Sequence, residues 1–163
     1  MRKLCAVVGV LMIAGCATTA APQKTQLELR EFQTRAFDTN DTKMVLKAVL
    51  NVLQDDDFIV KNANTELGLL NATKEVDVSS GGEKFVALLF AGNNARYKQN
   101  SIIECSANVS EHGPQTRVRM NFQMKVLDNR GGVMKVTNIE DEAFYREFFA
   151  KVDKGVFIQK EKL

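Results

Sequence analysis

Within residues 116–127, apolar and polar side chains alternate without a break from Arg117 to Val126, and no other feature of the sequence constrains the fold as strongly. The apolar positions are Val118, Met120, Phe122, Met124 and Val126. Successive side chains of a strand point to opposite faces, so the alternation predicts a strand with one buried face and one solvent-exposed face. Such one-sided burial is typical of an antiparallel sheet that is covered on a single side.

A second stretch, residues 101–109, alternates from Ile103 to Val109 and precedes the first, and a turn through His112-Gly113-Pro114 separates the two. Together they predict a β-hairpin. Cys105 falls on the apolar face of the earlier strand, between Ile103 and Ala107. A thiol could serve as a nucleophile, a metal ligand or an intermolecular bridge, but these apolar neighbours favour a buried core residue.

An amphipathic helix is predicted after residues 38–41, which are dense in residue types that cap helix N-termini. Apolar residues then follow at the i, i+3, i+4 and i+7 spacing of one helix face, namely Leu46, Val49, Leu50 and Leu53. The helix is expected to end near residue 54 or 55. Three acids, Asp55-Asp56-Asp57, oppose the partial negative charge of a helix C-terminus.

A second amphipathic helix is predicted near the C-terminus of the chain. Asn138 is its expected N-cap, and the acids in residues 140–142 complement the partial positive charge of its first turn. Its expected inward face consists of Phe144, Phe148 and Val152, flanked by Tyr145, Phe149 and Val156. Gly155 is the expected end of this helix.

Four further stretches are predicted to be extended. Residues 26–37 are expected to form a strand with a bulge, residues 58–61 and 70–78 a hairpin, and residues 133–137 a shorter strand. The continuous apolar run of residues 85–91 leaves three alternatives open. It could be a buried strand, a short buried helix, or an exposed loop that contacts lipid or a partner.

The order of these elements predicts an α+β fold. Two amphipathic helices need an apolar surface, and a single antiparallel sheet supplies one. We therefore expect a two-layer sandwich in residues 26–163, with one antiparallel sheet of about 5–6 strands and two amphipathic helices on one face. The composition, 45% hydrophobic and 26% charged with ten Gly and two Pro, excludes a disordered, collagen-like or disulfide-stapled chain.

The N-terminus has the three parts of a secretory signal peptide: the basic start Met1-Arg2-Lys3, an apolar run over residues 4–13, and the small pair Ala14-Gly15. A transmembrane helix needs about 20 apolar residues, so this run is too short to span a bilayer. We expect residues 1–15 to be removed and the protein to be exported.

The sequence Ile13-Ala14-Gly15-Cys16 resembles the lipobox of bacterial lipoproteins, in which an aliphatic residue and two small residues precede a Cys. The resemblance implies that cleavage falls before Cys16, that its thiol receives a diacylglyceryl group, and that its new amino group is acylated. Residues 16–25 would then be the lipidated Cys and a tether, and two or three acyl chains anchor a protein stably. Ala17, where the family uses Asp to retain a lipoprotein in the inner membrane, implies the outer membrane. The alternative is an ordinary signal peptide with a chance Cys.

The remainder of the chain resembles two groups of envelope proteins in its element order. One is the helix-grip module of the lipoprotein component of the outer-membrane β-barrel assembly machinery. The other is a set of uncharacterised envelope lipoproteins in which a strand and a helix, here residues 41–57, precede a meander and a final aromatic helix, here residues 144–157. Neither resemblance assigns a functional residue.

Charge and residue chemistry exclude several classes of function. Once Arg2 and Lys3 leave with the signal peptide, 20 of the 22 basic residues balance 20 acidic ones, which argues against a nucleic-acid partner. His112, the single histidine, sits in a turn without a nucleophile motif. One unlipidated Cys and one His do not supply the three or four ligands of a zinc site. We expect a non-enzymatic protein with no cofactor and no metal.

Two features could form a partner surface. Arg117, Arg119 and Lys125 make a basic stripe on the polar face of the second hairpin strand, either as ordinary solvated residues or as a docking face for an acidic partner. The other feature is the apolar run with Phe85, Leu88, Leu89 and Phe90, which is either buried or an exposed contact.

The leading hypothesis is a non-enzymatic lipoprotein held in the outer membrane and facing the periplasm. Its domain would bind another envelope protein as an accessory or scaffold. The alternative is a carrier or sensor of a small apolar ligand, held between the sheet and the last helix by Phe144, Phe148 and Phe149. An unfilled cavity at that place would support the alternative.

Overall fold

A computed structural model describes residues 24–77, 100–128 and 130–161. These ranges contain three helices and six strands. The helices are α1 (Gln26–Phe32), α2 (Thr42–Asp55) and α3 (Glu142–Glu161). The strands are β1 (Thr34–Phe37), β2 (Ile59–Asn64), β3 (Leu69–Asp77), β4 (Asn100–His112), β5 (Gln115–Leu127) and β6 (Val133–Asn138).

All six strands join one antiparallel sheet in the order β1-β5-β4-β3-β2, and β6 also pairs with β5. The β4–β5 hairpin predicted from the alternating residues is confirmed. Its register runs without a slip from the pair His112 and Gln115 to the pair Ser101 and Val126. Strands β1 and β6 lie on the same edge of β5, where β1 pairs with residues 116–119 and β6 with residues 123–127.

Helices α2 and α3 pack on one face of the sheet and share a single core with its inward-pointing side chains. Fully buried members are Val49 and Leu53 of α2, Ile103 of β4, Met120 of β5 and Val152 of α3. The predicted α+β fold, with helices on one face of an antiparallel sheet, is confirmed. The hairpin β2–β3 and the strand β6 also form, although β2 continues to Asn64 rather than ending at residue 61, and residue 78 lies outside the described residues.

The first element differs from the prediction of a bulged strand over residues 26–37. Residues 26–32 form α1, and only residues 34–37 form a strand. A capping box starts the helix, because the Thr25 side chain accepts a hydrogen bond from the Glu28 N–H while the Glu28 carboxylate accepts one from the Thr25 N–H. The alternation of Leu27 and Leu29 was misleading, since Leu27 is 78% exposed and Leu29 only 7%.

Helix α2 begins and ends as predicted. The Asp41 carboxylate accepts the Met44 N–H at 2.8 Å, and the last helical residue is Asp55. The structure also shows how the acids at this end are compensated. Lys151 of α3 lies 2.6 Å from Asp56, and Lys74 of β3 lies 3.7 Å from Asp57.

Helix α3 starts later than predicted, at Glu142, and Asn138 does not cap it. The sheet continues beyond Asn138, because the Ile139 N–H donates to the Phe122 carbonyl at 2.9 Å. Asp141 caps the helix instead, since its carboxylate accepts the Phe144 N–H at 2.8 Å.

Gly155 does not end α3, which continues to Glu161. A Cβ at this position would lie 3.5 Å from the Ala48 Cβ. The small residues Gly155 and Ala48 therefore mark a close approach of α2 and α3, and the prediction of a helix end at Gly155 was wrong.

Candidate functional site

The face of the sheet opposite α2 and α3 is here called the open face. Within the described residues it carries exposed polar side chains, as the alternation along β5 predicted. The direct pairs Asn71 with Ser106 and Ser106 with Asn121 place three exposed residues side by side across β3, β4 and β5. Because these side chains are small, a groove of about 390 Å³ lies over the centre of the open face.

A second row of polar side chains borders this groove. Thr73, Glu104, Gln123 and Asn138 form the next row across β3, β4, β5 and β6. The Glu104 carboxylate accepts hydrogen bonds from the Gln123 amide at 2.8 Å and from the Lys125 ammonium at 2.7 Å. The bond from Lys125, with a smaller contribution from Gln123, lowers the pKa of Glu104 although burial opposes this.

The predicted basic stripe is divided by these contacts. Lys125 forms an ion pair with Glu104, and both side chains are about 70% removed from solvent, at 28% and 30% exposure. Arg117 is exposed, and its guanidinium lies 2.6 Å from the His112 Nε2 atom. Arg119 is half-buried, and its Nε atom is buried without a hydrogen-bond partner among the described residues. Among residues 24–77, 100–128 and 130–161, Arg117 and Arg119 are therefore adjacent cations without a carboxylate partner, whereas Lys125 is neutralised.

The other candidate surface residues, Phe85, Leu88, Leu89 and Phe90, lie outside the described residues, and so does Cys16. The strand residues that flank the apolar run, Asp77 and Asn100, pair with each other across β3 and β4.

Cys105 occupies the core, as predicted. It is 4% exposed and pairs with Ala72 on one side and Phe122 on the other. Burial raises the pKa of its thiol to about 12, although a backbone hydrogen bond at Ala72 opposes the shift. The thiolate that nucleophilic chemistry requires is therefore strongly disfavoured here.

The aromatic residues proposed to hold an apolar ligand pack against the sheet directly. The Phe122 ring lies edge-on to Phe144, with centroids 4.9 Å apart, and to Phe148, with centroids 5.3 Å apart. Phe149 lies 5.8 Å from Phe148 by the same measure. All three residues on α3 are at most 4% exposed; the rings of Phe144 and Phe148 contact β5, whereas Phe149 lines the cleft between α1, β1 and α3.

Two other concave regions involve helices. A cleft of about 510 Å³ between α1, β1 and α3 is lined by charges of both signs, including Lys24, Glu28, Arg35, Glu142 and Arg146. A groove of about 400 Å³ runs between α2 and α3 beside Gly155. In residues 24–77, 100–128 and 130–161 no helix has the length and apolarity to cross a bilayer, and no three His, Cys, Asp or Glu residues cluster as metal ligands.

Sequence reasoning missed the small polar row and the pairing of Lys125 with Glu104. A signal for both was present, since the turn at Gly113-Pro114 sets which residues of β4 and β5 oppose each other. That register places Ser106 opposite Asn121, and Glu104 within reach of Lys125. Whether Arg119 faces a charged residue also depends on β1, which lies far away in the sequence and places the uncharged Thr34 beside it.

The comparisons with known proteins identify no family. No protein-family model matches the sequence, and no curated protein matches it. A structural comparison finds a DUF4468 family protein from Bacteroides ovatus ATCC 8483, with a TM-score of 0.41 and 8% sequence identity over 76% of this chain and 84% of the other.

Proposed function

We propose that the protein is a non-enzymatic lipoprotein, anchored through Cys16 to the outer membrane and facing the periplasm. Its open face binds another envelope protein, so that the domain acts as an accessory or scaffold. The lipobox resemblance at residues 13–16 supports the anchor, and the open face supports the docking role.

The observation that carries the docking role is the groove over Asn71, Ser106 and Asn121. A sheet face that only meets solvent needs no depression at its centre. Here three small side chains lie in register on neighbouring strands and leave room for about 390 Å³ of a partner. Their amides and hydroxyl offer both hydrogen-bond donors and acceptors to that partner.

The start of the folded domain limits how far this face can lie from the membrane. The Lys24 ammonium donates to the Glu140 carbonyl at 2.8 Å and lies 4.6 Å from the centroid of the Phe32 ring. The tether from Cys16 to Lys24 then spans at most roughly 26–29 Å when fully extended. The proposed partner is accordingly a membrane protein of the envelope or one that works close to the membrane surface.

The carrier hypothesis receives less support from the same structure. A carrier needs an internal space for its ligand. The three phenylalanines proposed as its wall are buried: Phe144 and Phe148 contact the Phe122 ring, and Phe149 contacts Phe148.

The anchor is tested by metabolic labelling with a fatty acid in cells that make single-cysteine variants. Cys16→Ser should abolish the label and leave an unprocessed precursor. The matched controls Cys5→Ser and Cys105→Ser should retain both label and processing. Label that survives in Cys16→Ser would contradict the anchor.

The docking role is tested by placing a photo-crosslinking amino acid at Asn121, on the open face, in intact cells. Lys47, which is exposed on α2, serves as the control position on the opposite layer. We expect one discrete crosslinked product from position 121 and none from position 47. Equal products from both positions, or none from position 121, would contradict docking through the open face.

A further inference from the structure

We infer that Arg117 and Arg119 form a carboxylate-binding site for an acidic, extended segment of the partner protein. This inference rests on the proposed docking role of the open face and names the chemistry of the partner. The supporting observation is that the three cations on β5 differ in whether a carboxylate of the domain pairs with them.

The two arginines lie in a neutral part of the open face. Arg119 pairs with Thr34 of β1 and with Asn108 of β4, and Arg117 pairs with Ala36 and Ser110 on the same two strands. None of these directly opposed residues carries a charge. An acid at any one of the four positions would have neutralised a guanidinium from across the ladder.

Lys125 provides the internal comparison. It lies on the same face of the same strand, but its ammonium is 2.7 Å from the Glu104 carboxylate. Within the part of the chain that the structure describes, one cation of the stripe is neutralised and the other two have no acidic partner. A carboxylate from another molecule should bind more strongly to Arg117 and Arg119 than to Lys125. At the arginines it displaces no carboxylate of the domain, whereas at Lys125 it would have to displace Glu104.

Arg119 adds a second observation. Its Nε atom is buried and has no hydrogen-bond partner among the described residues, so part of its donor capacity is unused within the domain. A guanidinium presents its donors in a plane that matches a carboxylate. The neighbouring Asn108 amide and Ser110 hydroxyl supply further donors of the kind that binds the same group.

The spacing of the arginines selects an extended segment. They are two residues apart on one strand, so their side chains emerge about 7 Å apart on the same face. Alternate residues of an extended peptide have this same spacing. Two acidic residues separated by one residue can therefore meet both arginines, while the peptide backbone lies towards the groove at Asn121.

A segment of protein fits this site better than an anionic bilayer surface. Arg119 is half-buried, and the residues opposite the two arginines have small or medium side chains without large apolar tips. Membrane-surface binding favours protruding basic side chains beside exposed apolar ones. One extended side chain reaches a half-buried guanidinium more readily than a planar layer of headgroups does.

The test measures binding of fluorescein-labelled hexaglutamate to the full chain by fluorescence anisotropy at low salt, with hexaglutamine carrying the same label as the neutral probe. We expect hexaglutamate to bind and hexaglutamine not to bind. The double variant Arg117→Gln/Arg119→Gln should weaken hexaglutamate binding at least tenfold. The matched control Lys125→Gln should change it less than about twofold, because Lys125 is already paired. Added salt should weaken the wild-type interaction.

Other results would overturn the inference. Equal affinity of the wild-type protein and the double variant for hexaglutamate would do so, and so would a failure of the wild type to distinguish the two probes. The single variant Arg117→Gln changes an exposed residue and replaces the double variant if that one does not fold. Arginine-dependent binding to phosphatidylglycerol vesicles without hexaglutamate binding would assign the site to lipid headgroups and also overturn it.

The same variants separate this inference from the proposed function. If position 121 crosslinks to a partner equally well in the wild type and in the double variant, the open face docks a protein and the arginine site is wrong. If hexaglutamate binding depends on the arginines but position 121 gives no product, the arginine site stands and the proposed docking role fails.

Discussion

The hydroxyl of Tyr145 accepts a hydrogen bond from the main-chain N–H of Phe122 at 3.2 Å. This bond lies on the edge of β5 opposite β4, between the end of the pairing with β1 and the start of the pairing with β6. On either side of it, the Met120 N–H donates to the Gln33 carbonyl and the Ile139 N–H donates to the Phe122 carbonyl, both at 2.9 Å. A side chain of α3 thus completes the edge of the sheet and fixes the helix in position on it.

Tyr145→Phe should destabilise the protein by about 1–3 kcal/mol, because it leaves the buried Phe122 N–H without an acceptor. The Gln33 amide, 3.3 Å from the same hydroxyl, also loses its partner. Chemical denaturation of the full chain measures the change. Thr137→Val is the control, since it removes an exposed hydroxyl from β6 and should change stability by less than about 0.5 kcal/mol. Equal effects of the two substitutions would contradict this role of Tyr145.

Alanine should have opposite effects at two glycines. Gly155→Ala should stabilise the protein by roughly 0.5–1 kcal/mol, because alanine is the better helix former and its Cβ meets Ala48 at an ordinary contact distance of 3.5 Å. Gly68→Ala should destabilise it by more than about 1 kcal/mol, since Gly68 has a φ of +64° and a Cβ there would overlap the Val109 carbonyl. Thermal unfolding of the two variants tests whether the melting temperature rises for Gly155→Ala and falls for Gly68→Ala. Destabilisation by Gly155→Ala would show that the contact between α2 and α3 has no room for a methyl group.

Stability should fall at high pH through Cys105. Its pKa is raised from an ordinary value of 9.0 to about 12. Because the pKa is raised in the folded state, the protonated thiol contributes fully to the free energy of unfolding below pH 9. This contribution is lost as the pH rises from 9 towards 12, by an amount on the order of 4 kcal/mol at most. Burial also raises the pKa of Tyr145, which acts in the same direction.

Comparison with Cys105→Ala isolates the thiol, because Tyr145 is present in both proteins. The stability difference between wild type and variant should be constant from pH 7 to 9 and should shift against the wild type above pH 9. A difference that stays constant up to pH 11 would contradict a buried thiol with a raised pKa.

Arg119→Met should leave the free energy of unfolding unchanged within about 0.5 kcal/mol or raise it. Methionine keeps the apolar stem and removes a buried Nε atom that has no partner among the described residues. The control Arg35→Met breaks the 2.9 Å ion pair with Asp153 and should cost up to about 1 kcal/mol. A loss above 1 kcal/mol for Arg119→Met would show that the guanidinium serves the fold rather than a partner.

The sheet and its two covering helices were predictable because their signals are long and uninterrupted. Residues 117–126 provide ten positions of strict alternation, and a strand shifted by one residue would expose its whole apolar face. The stretch of residues 26–32 was misassigned because seven residues with two leucines fit either period. The Thr25 and Glu28 capping box was the decisive local signal there.

The candidate site was predictable only in part. The polar face of β5 followed from the alternation, and so did the presence of Arg117, Arg119 and Lys125 on it. Which of these cations lacks an acidic partner depends on Glu104 in the neighbouring strand and on Thr34 and Ala36, which arrive from the start of the domain. Pairings between distant segments are not encoded in the periodicity of any one strand.

The intact mass of the protein purified from its native membrane tests the central claim most directly. We expect a chain that begins at Cys16 and carries the added mass of a diacylglyceryl group and an amide-linked acyl chain. A chain with an unmodified thiol at Cys16 would contradict the membrane anchor, and with it the role proposed for the open face.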